Sequence, residues 1–340
     1  MKRLLIFVFA LCVLLAGCTP AAGPTQKQYT ATFLNLFDTV TTIKGFATTE
    51  DQFTQMSQAI HDDLLVYHQL FDIYNDYAGI NNIKTVNDQA GIAPVTVDKS
   101  IVDLLLDCKT YYELTGGKVN AAMGSVLRLW HEARTDGMRD PANAYLPENS
   151  ALQEAATHIS FDHVIIDEDL STVYMSDPET SLDLGAIAKG WATQKVAENA
   201  PEGMLISVGG NVYATGPKDQ DGTPWVIGIQ NPDSNDYVHS IYLRSGAVVT
   251  SGDYQRTYAV GGQKYHHIID PDTQMPSAYW RSVTVVCQDS GLADALSTAL
   301  FLLPLEEGMA LAEDCGAEVL WIDATGAEFM TPGFQDFIRT

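Results

Sequence analysis

The chain has 340 residues, 46% of them hydrophobic, enough for one large domain or two ordinary ones with a sizeable core. Its formal net charge of −24 argues against nucleic acid as a partner, since phosphate binding needs clustered Lys and Arg, and against electrostatic docking on anionic lipid. So acidic a chain binds a polyphosphate only through a local device, such as a divalent cation or a set of backbone N–H donors.

In chain order, Lys2 and Arg3 form a basic start, and residues 4–16 form an apolar run too short for a typical spanning helix. Leu15-Ala16-Gly17-Cys18 looks like a bacterial lipobox. It implies a lipoprotein signal peptide over 1–17, lipid on Cys18, a polar tether over 18–30 and one domain over 31–340. The domain would then work at the extracytoplasmic face of the cell membrane. An ordinary signal peptide with a chance Cys is the bland alternative. With Cys12 in the removed segment, Cys108, Cys287 and Cys315 remain, too few for a disulfide scaffold. Cys287, after Val283-Thr284-Val285-Val286, reads as a buried strand residue. No CxxC or HExxH occurs, so zinc chemistry has no support.

Residues 32–46 are rich in β-formers and read as a strand or hairpin arm. Residues 50–74 carry Phe53, Met56, Ile60, Leu64, Tyr67 and Phe71 at helical spacing. A polar, turn-rich stretch covers 75–87. A second helix spans 100–114, stopped by Gly116-Gly117, and a third spans 121–133, followed by a loop over 136–149. From His163 onward short β-rich runs take over: 164–166, 172–175, 205–208, 225–229, 237–243, 247–250, 265–269, 283–287 and 319–322. Helices at 187–199, 291–303 and 305–315 interrupt them. There is no regular βαβα alternation and no repeat. The expected class is α+β, a helical N-terminal part packed on an antiparallel-rich C-terminal β/α part.

Four segments could carry chemistry. In Leu182-Asp183-Leu184-Gly185-Ala186-Ile187-Ala188-Lys189-Gly190 a Gly turn enters a helix, whose free N–H groups and nearby Lys189 suit phosphate. A capped helix with a solvated Lys fits it equally. Val208-Gly209-Gly210-Asn211 permits a tight turn or close approach to a ligand. After Thr250-Ser251-Gly252-Asp253-Tyr254 come His266 and His267; adjacent residues of a strand face opposite sides, so only one can face a cleft and serve as a base. A hydrogen-bonded structural His is the alternative. Asp294 and Thr298, four apart on a helix, offer hard oxygens suited to Mg²⁺. A dipole-stabilising Asp with a back-bonded Thr would look the same.

Taken in order, FDT, the segment from Tyr74 to Asn87, GGKVNAAMGSVLRLW, LDLGAIAKG, VGGN, SGDY, HHIIDP and ADALST resemble the ApbE family, the FAD:protein FMN transferases. The resemblance runs from about Phe33 to about Leu303 and implies an ApbE-like fold with a T-fold-like core. It implies that Phe37 and Tyr74 flank the flavin or adenine rings. Lys118, Val119, Asn120 and Ile268 would line the FAD site, with Asp183 and Lys189 contacting FAD. The Ala186 carbonyl, Asp294 and Thr298 would hold Mg²⁺, and His267 would be the general base, His266 facing away. The chain departs from the family at Phe37-Asp38-Thr39, where Met-Gly-Thr is common, at Val119-Asn120, where many members have Phe-Asp, and at Thr273-Gln274, usually Thr-Gly. The implied reaction moves FMN from FAD to a Ser or Thr motif of an extracytoplasmic acceptor flavoprotein and releases AMP. The rivals are an Mg²⁺-dependent FAD pyrophosphatase, a non-catalytic FAD-binding lipoprotein and a generic solute-binding lipoprotein.

Overall fold

The computed structural model describes residues 26–340; Cys12, Cys18, the signal peptide and most of the tether lie outside them. Lys27–Leu36 (β1) and Thr39–Ala47 (β2) form an antiparallel hairpin, so strand structure opens inside the stretch read as tether. Thr49 accepts a hydrogen bond from the Gln52 N–H and caps Glu50–Phe71 (α1), whose first-turn Glu50 and Asp51 suit the positive helix end. Phe53, Ile60 and Leu64 recur along one face of α1 and are buried. Then come Ile83–Asp88 (α2), Val95–Thr96 (β3), Lys99–Leu114 (α3), Gly124–Arg139 (α4), Asn149–Ala155 (α5), Val164–Asp167 (β4) and Thr172–Met175 (β5). The strands β3, β5 and β4 make a small sheet of their own.

The second half runs Ala188–Asn199 (α6), Met204–Val208 (β6), Asn211–Ala214 (β7), Trp225–Gln230 (β8), Tyr237–Leu243 (β9) and Gly246–Gly252 (β10). It continues with Tyr258–Val260 (β11), Gln263–Tyr265 (β12), Ser282–Cys287 (β13), Ser290–Phe301 (α7), Leu305–Asp314 (α8), Glu318–Ile322 (β14) and Glu328–Met330 (β15). An eight-stranded sheet in the order β1-β2-β6-β7-β10-β13-β14-β15 organises the molecule, and every pairing in it is antiparallel. The N-terminal hairpin belongs to this sheet, with Thr41 opposite Val208.

Side-chain alternation sorts the sheet's two faces. Val283, Val285, Val319 and Trp321 pack with Leu296 and Leu300 of α7, while Val286, Leu320 and Ile322 pack with Trp225, Ile227 and Ile241 of the β8–β9 hairpin. Both faces are therefore covered, which is why β13 reads as a continuous apolar run. The fold is α+β.

Most expected elements are present, β3, α5, β7, β11 and β15 come in addition, and four further differences stand out. The segment expected to be a strand over 265–269 leaves the ladder after Tyr265, because the His266 ring accepts from the Ile268 N–H (3.2 Å) and bonds the Ser277 carbonyl (2.7 Å). Helix α4 starts later and runs through Arg139, into the stretch expected to be loop. The polar stretch 75–87 contains the start of α2, nucleated by a capping box between Asn82 and Thr85. Cys287 ends β13 half-buried; Cys108, Cys287 and Cys315 are all free thiols. Gly209 and Gly210 (φ 56° and 97°) form the two-residue turn between β6 and β7. Among the described residues no helix is long and apolar enough to cross a membrane.

Candidate functional site

One cleft of about 320 Å³ opens where the β1–β2 turn, the end of α1, α4, the entry to α6, the end of β10, the segment after β12 and α7 meet. That volume is in the range of small-molecule sites. Every residue named above from the resemblance lines it: Phe37, Tyr74, Lys118, Val119, Asn120, Asp183, Ala186, Lys189, His267, Ile268, Asp294 and Thr298.

The aromatic end begins with a strained turn. Phe37 and Asp38 have φ of 51° and 50°, the left-handed pair that a two-residue hairpin turn requires but that non-Gly residues resist. The Phe37 N–H donates to His68 Nδ1 at 3.2 Å, and the two rings meet edge to face. Asp72 ends α1 and accepts from the N–H groups of Tyr74 (2.7 Å) and Asn75 (3.1 Å), which fixes the backbone that presents Tyr74. The exposed Tyr74 ring reaches across to α4, its hydroxyl 3.0 Å from His131 Nδ1.

Along the second wall the polar atoms are already committed. Lys118 Nζ sits between Asp270 Oδ1 (2.9 Å) and Asp272 Oδ2 (2.8 Å), so it braces the loop after His267. Asn120 donates to the Ile159 carbonyl (2.8 Å) and accepts from the Ala122 N–H (2.9 Å). Val119 is buried. These three shape the cleft.

Asp183 makes a local turn, accepting from the Gly185 N–H at 2.9 Å, with its other oxygen 3.9 Å from His131 Nδ1. Lys189, in the first turn of α6, donates to the Gly185 carbonyl (3.1 Å) and lies 3.6 Å from Asp294 Oδ2. Asp294 is buried in α7 and accepts from the Gly190 N–H at 2.8 Å. Helix α7 and α6 approach this closely because residue 190 is Gly: a Cβ there would overlap the Ser290 carbonyl and Asp294 itself.

The hydrogen bonds around Asp294 and Thr298 differ from those of a capping Asp with a back-bonded Thr. The helix cap is Asp289, which accepts from the Leu292 N–H at 2.7 Å, so Asp294 is not a capping residue. Ser297, not Thr298, bonds back to the Asp294 carbonyl (2.9 Å). The Thr298 hydroxyl faces the cleft with no hydrogen bond among the described residues. Burial raises the Asp294 pKa, opposed by Lys189 and the Gly190 N–H. A buried carboxylate, a free hydroxyl and the cleft-lining Ala186 make an all-oxygen donor set, with the carbonyl as Ala186's donor, that fits a hard divalent cation.

His266 and His267 diverge. His266 is spent on Ser277 and Ile268 and packs edge to face on Phe301. His267 faces the cleft, and its buried Nδ1 has no partner among the described residues. Burial first, then the positive charges of Arg256, His266, Arg134 and Lys189, push its pKa down to about 3. The imidazole is neutral at physiological pH and holds a free lone pair.

The sequence reading missed His131, Arg256 and Gln255, which also line the cleft, and Arg134, one turn along α4 from His131. Their signal was present: Leu127, His131 and Arg134 recur at i, i+4 and i+7 on α4, and Gln255-Arg256 follow SGDY directly.

Comparison with known proteins gives a consistent picture. The sequence model of the ApbE family matches residues 37–321. An FAD:protein FMN transferase of Treponema pallidum is 34% identical over 277 residues, covering 76% of this chain and 75% of that protein. Another from Klebsiella pneumoniae is 32% identical over 263 residues, covering 74% and 79%. The crystal structure of the ApbE protein of Thermotoga maritima superposes with a TM-score of 0.81 at 30% identity, covering 92% of this chain and 100% of that one.

Proposed function

This chain belongs to the ApbE family, and from that premise we propose that it is an enzyme that transfers FMN from FAD to a Ser or Thr hydroxyl of an acceptor protein, releasing AMP. The observation that carries the reading is the convergence on one cleft of a neutral, unpartnered His267 with the oxygen set of Asp294, Thr298 and Ala186.

Asp294, Thr298 and the Ala186 carbonyl would hold Mg²⁺, which takes few protein ligands and completes its shell with water or substrate phosphate. Bound there, the ion supplies charge neutralisation at the phosphate oxygens. The chain's own groups do the rest. Phe37 and Tyr74 flank the ring systems at the aromatic end. Lys189 adds a cation beside the phosphate position. The neutral His267 imidazole takes the proton of the acceptor hydroxyl; that oxygen forms a bond to the FMN phosphorus while the bridging P–O bond to AMP breaks. The anionic diphosphate raises the basicity of His267 when it binds, offsetting the cations that depress it in the free enzyme.

In this reading lipid on Cys18, outside the described residues, holds the enzyme at the extracytoplasmic membrane face. Tethering enzyme and acceptor to one membrane raises their effective concentration. The test is in-gel flavin fluorescence of an acceptor FMN-binding domain after denaturation, with FAD and Mg²⁺. A fluorescent acceptor band that needs Mg²⁺ and is lost in Asp294→Ala supports transfer. AMP without a labelled acceptor means water is the acceptor and the enzyme is a pyrophosphatase. Intact FAD after prolonged incubation means a flavin carrier.

A further inference from the structure

Strand β8 has an open edge. It pairs with β9 on one side, and among the described residues no strand lies on the other. The register fixes what the open side presents. The Arg339 N–H donates to the Ser240 carbonyl at 2.8 Å, on the outer side of β9. The N–H and C=O of one residue point to the same side of its strand, and Ser240 stands opposite Gly228, so these two exchange no hydrogen bonds. The Gly228 N–H and C=O therefore point away from β9. Proteins usually blunt such an edge with Lys or Pro. Residues 225–230 read WVIGIQ, with neither a charge nor a proline, and their register is regular from Trp225 to Ile229. A groove of about 180 Å³ runs beside this edge. Residues 227–230 all border it; since successive side chains point to opposite faces, the strand meets the groove with its backbone edge. Val212 and Val248 of the main sheet form the floor, and the exposed Tyr237 ring lies over Gly228, where a Cβ would overlap it. Thr250 and Gln255 line both this groove and the cleft that holds His267, so the two join at the end of β10.

We infer that this edge and groove receive the acceptor polypeptide: an extended segment adds to β8 as a strand and carries its Ser or Thr around the end of β10 to His267. This rests on the FMN-transfer reading and adds to it the place where the acceptor binds. A hydroxyl that belongs to a polypeptide brings flanking residues with it, and they need a surface that opens from the cleft. The groove is such a surface, and it is smaller than a pocket for a dinucleotide. Strand addition draws affinity from main-chain hydrogen bonds and selectivity from pockets for alternate side chains. Here the Gly228 N–H and C=O supply the bonds, and a glycine in a strand suits close approach of another backbone. The Val212–Val248 floor takes an apolar side chain, and Tyr237 offers an aromatic surface beside it. The segment that fits is extended and uncharged, with an apolar residue near the reacting hydroxyl.

The test is flavinylation at varied concentrations of an FMN-binding acceptor domain with FAD saturating, and FAD affinity measured apart by flavin fluorescence quenching. Tyr237→Ala clears the space over Gly228, and Gly228→Ala and Gly228→Pro are compared in that background. The N–H that Pro removes takes no part in the β8–β9 ladder, so the hairpin keeps its bonds. Gly228→Pro should raise the acceptor KM about tenfold over Gly228→Ala, the order of one main-chain bond lost and its partner left unpaired, with kcat and FAD affinity unchanged. Gln230→Lys puts a charge on the exposed end of the edge without touching the backbone. It should raise the acceptor KM as well, and it carries the test if thermal melts show the proline variant unfolding early. Equal acceptor KM in the Pro and Ala variants, with both folded, overturns strand addition. So does a KM effect matched by an equal loss of FAD affinity, which would make the groove part of the flavin site. A wild-type dimer by light scattering that Gly228→Pro dissociates also overturns it and gives the edge to a second copy of the chain. A wild type that labels no acceptor removes the transfer reading itself, and the docking inference with it.

Discussion

Replacing Gly190 with Ala would test the Asp294 site without touching any proposed ligand. The Gly190 N–H holds Asp294 Oδ2 at 2.8 Å, and a Cβ at 190 would overlap both the Ser290 carbonyl and the Asp294 Cβ. Neither obstacle is the flexible end of a side chain, so helices α6 and α7 must move apart. Overpacking of this kind costs about 1–3 kcal/mol. At roughly 2–4 °C per kcal/mol for a domain near this size, the metal-free protein should melt several degrees lower. The same separation lengthens the bond that orients the carboxylate. Loss of a supporting hydrogen bond behind a metal ligand typically reduces metal affinity or activity about 10–100-fold. The assay is acceptor flavinylation against Mg²⁺ concentration, run with thermal melts in chelator. The expected result is a raised Mg²⁺ requirement together with a lowered Tm. A Gly190→Ala enzyme with wild-type melting and wild-type Mg²⁺ dependence would refute the claim that this glycine sets the distance between the helices and the aim of Asp294.

Three other perturbations follow from the geometry. Lys118→Met leaves Asp270, which is largely buried, without its cation; breaking such a pair costs about 3 kcal/mol, and Lys118→Met with Asp270→Asn should recover much of it. Because Lys118 braces the His267 loop, kcat should fall more than FAD affinity; equal losses would return Lys118 to a direct ligand role. His267 makes the free enzyme acid-sensitive: the unfolded chain takes up a proton near pH 6.5 while the folded chain does not until about pH 3, so stability falls as pH drops through that window. The slope from this group is at most about 1.4 kcal/mol per pH unit, and urea titrations of His267→Gln should show it removed. Asp38→Gly relieves a left-handed non-Gly residue (φ 50°) and should stabilise the protein by up to about 1 kcal/mol; a loss of stability would mean that the Asp38 side chain supports the turn.

Much of the fold could be read from local pattern because the deciding physics was local. The strand at 172–175 and that at 237–243 match their observed bounds, and α1, α3 and α6 start within one residue of expectation. In each, burial periodicity and a capping or turn residue agree. The segment from His266 to Asp270 failed for a local reason of another kind. Its β-formers point to a strand, but the His266 ring takes the roles that a neighbouring strand would fill, bonding the Ile268 N–H and the Ser277 carbonyl. A side chain competing for backbone groups defeats a pattern that counts only apolarity and branching.

The site divides along the same line. Asp294 and Thr298 could be paired from sequence because a helix places i and i+4 together, and the structure adds which groups bond where: Asp289 caps, Ser297 bonds back, and Thr298 has no hydrogen bond among the described residues. The partners of Lys118 could not be read. Asp270 and Asp272 lie far along the chain, and nothing in the composition near Lys118 distinguishes a brace from a phosphate ligand. The same holds for His131 and Arg256, which line one cleft only because α4 and the segment after β10 border it. Sequence proximity conveys which residues share a helix face; charge balance becomes visible only when every cation has been matched to its carboxylate in space. For Lys118 the matched carboxylates lie 152 and 154 residues further along the chain, so its place as a brace belongs to the fold and to no local pattern.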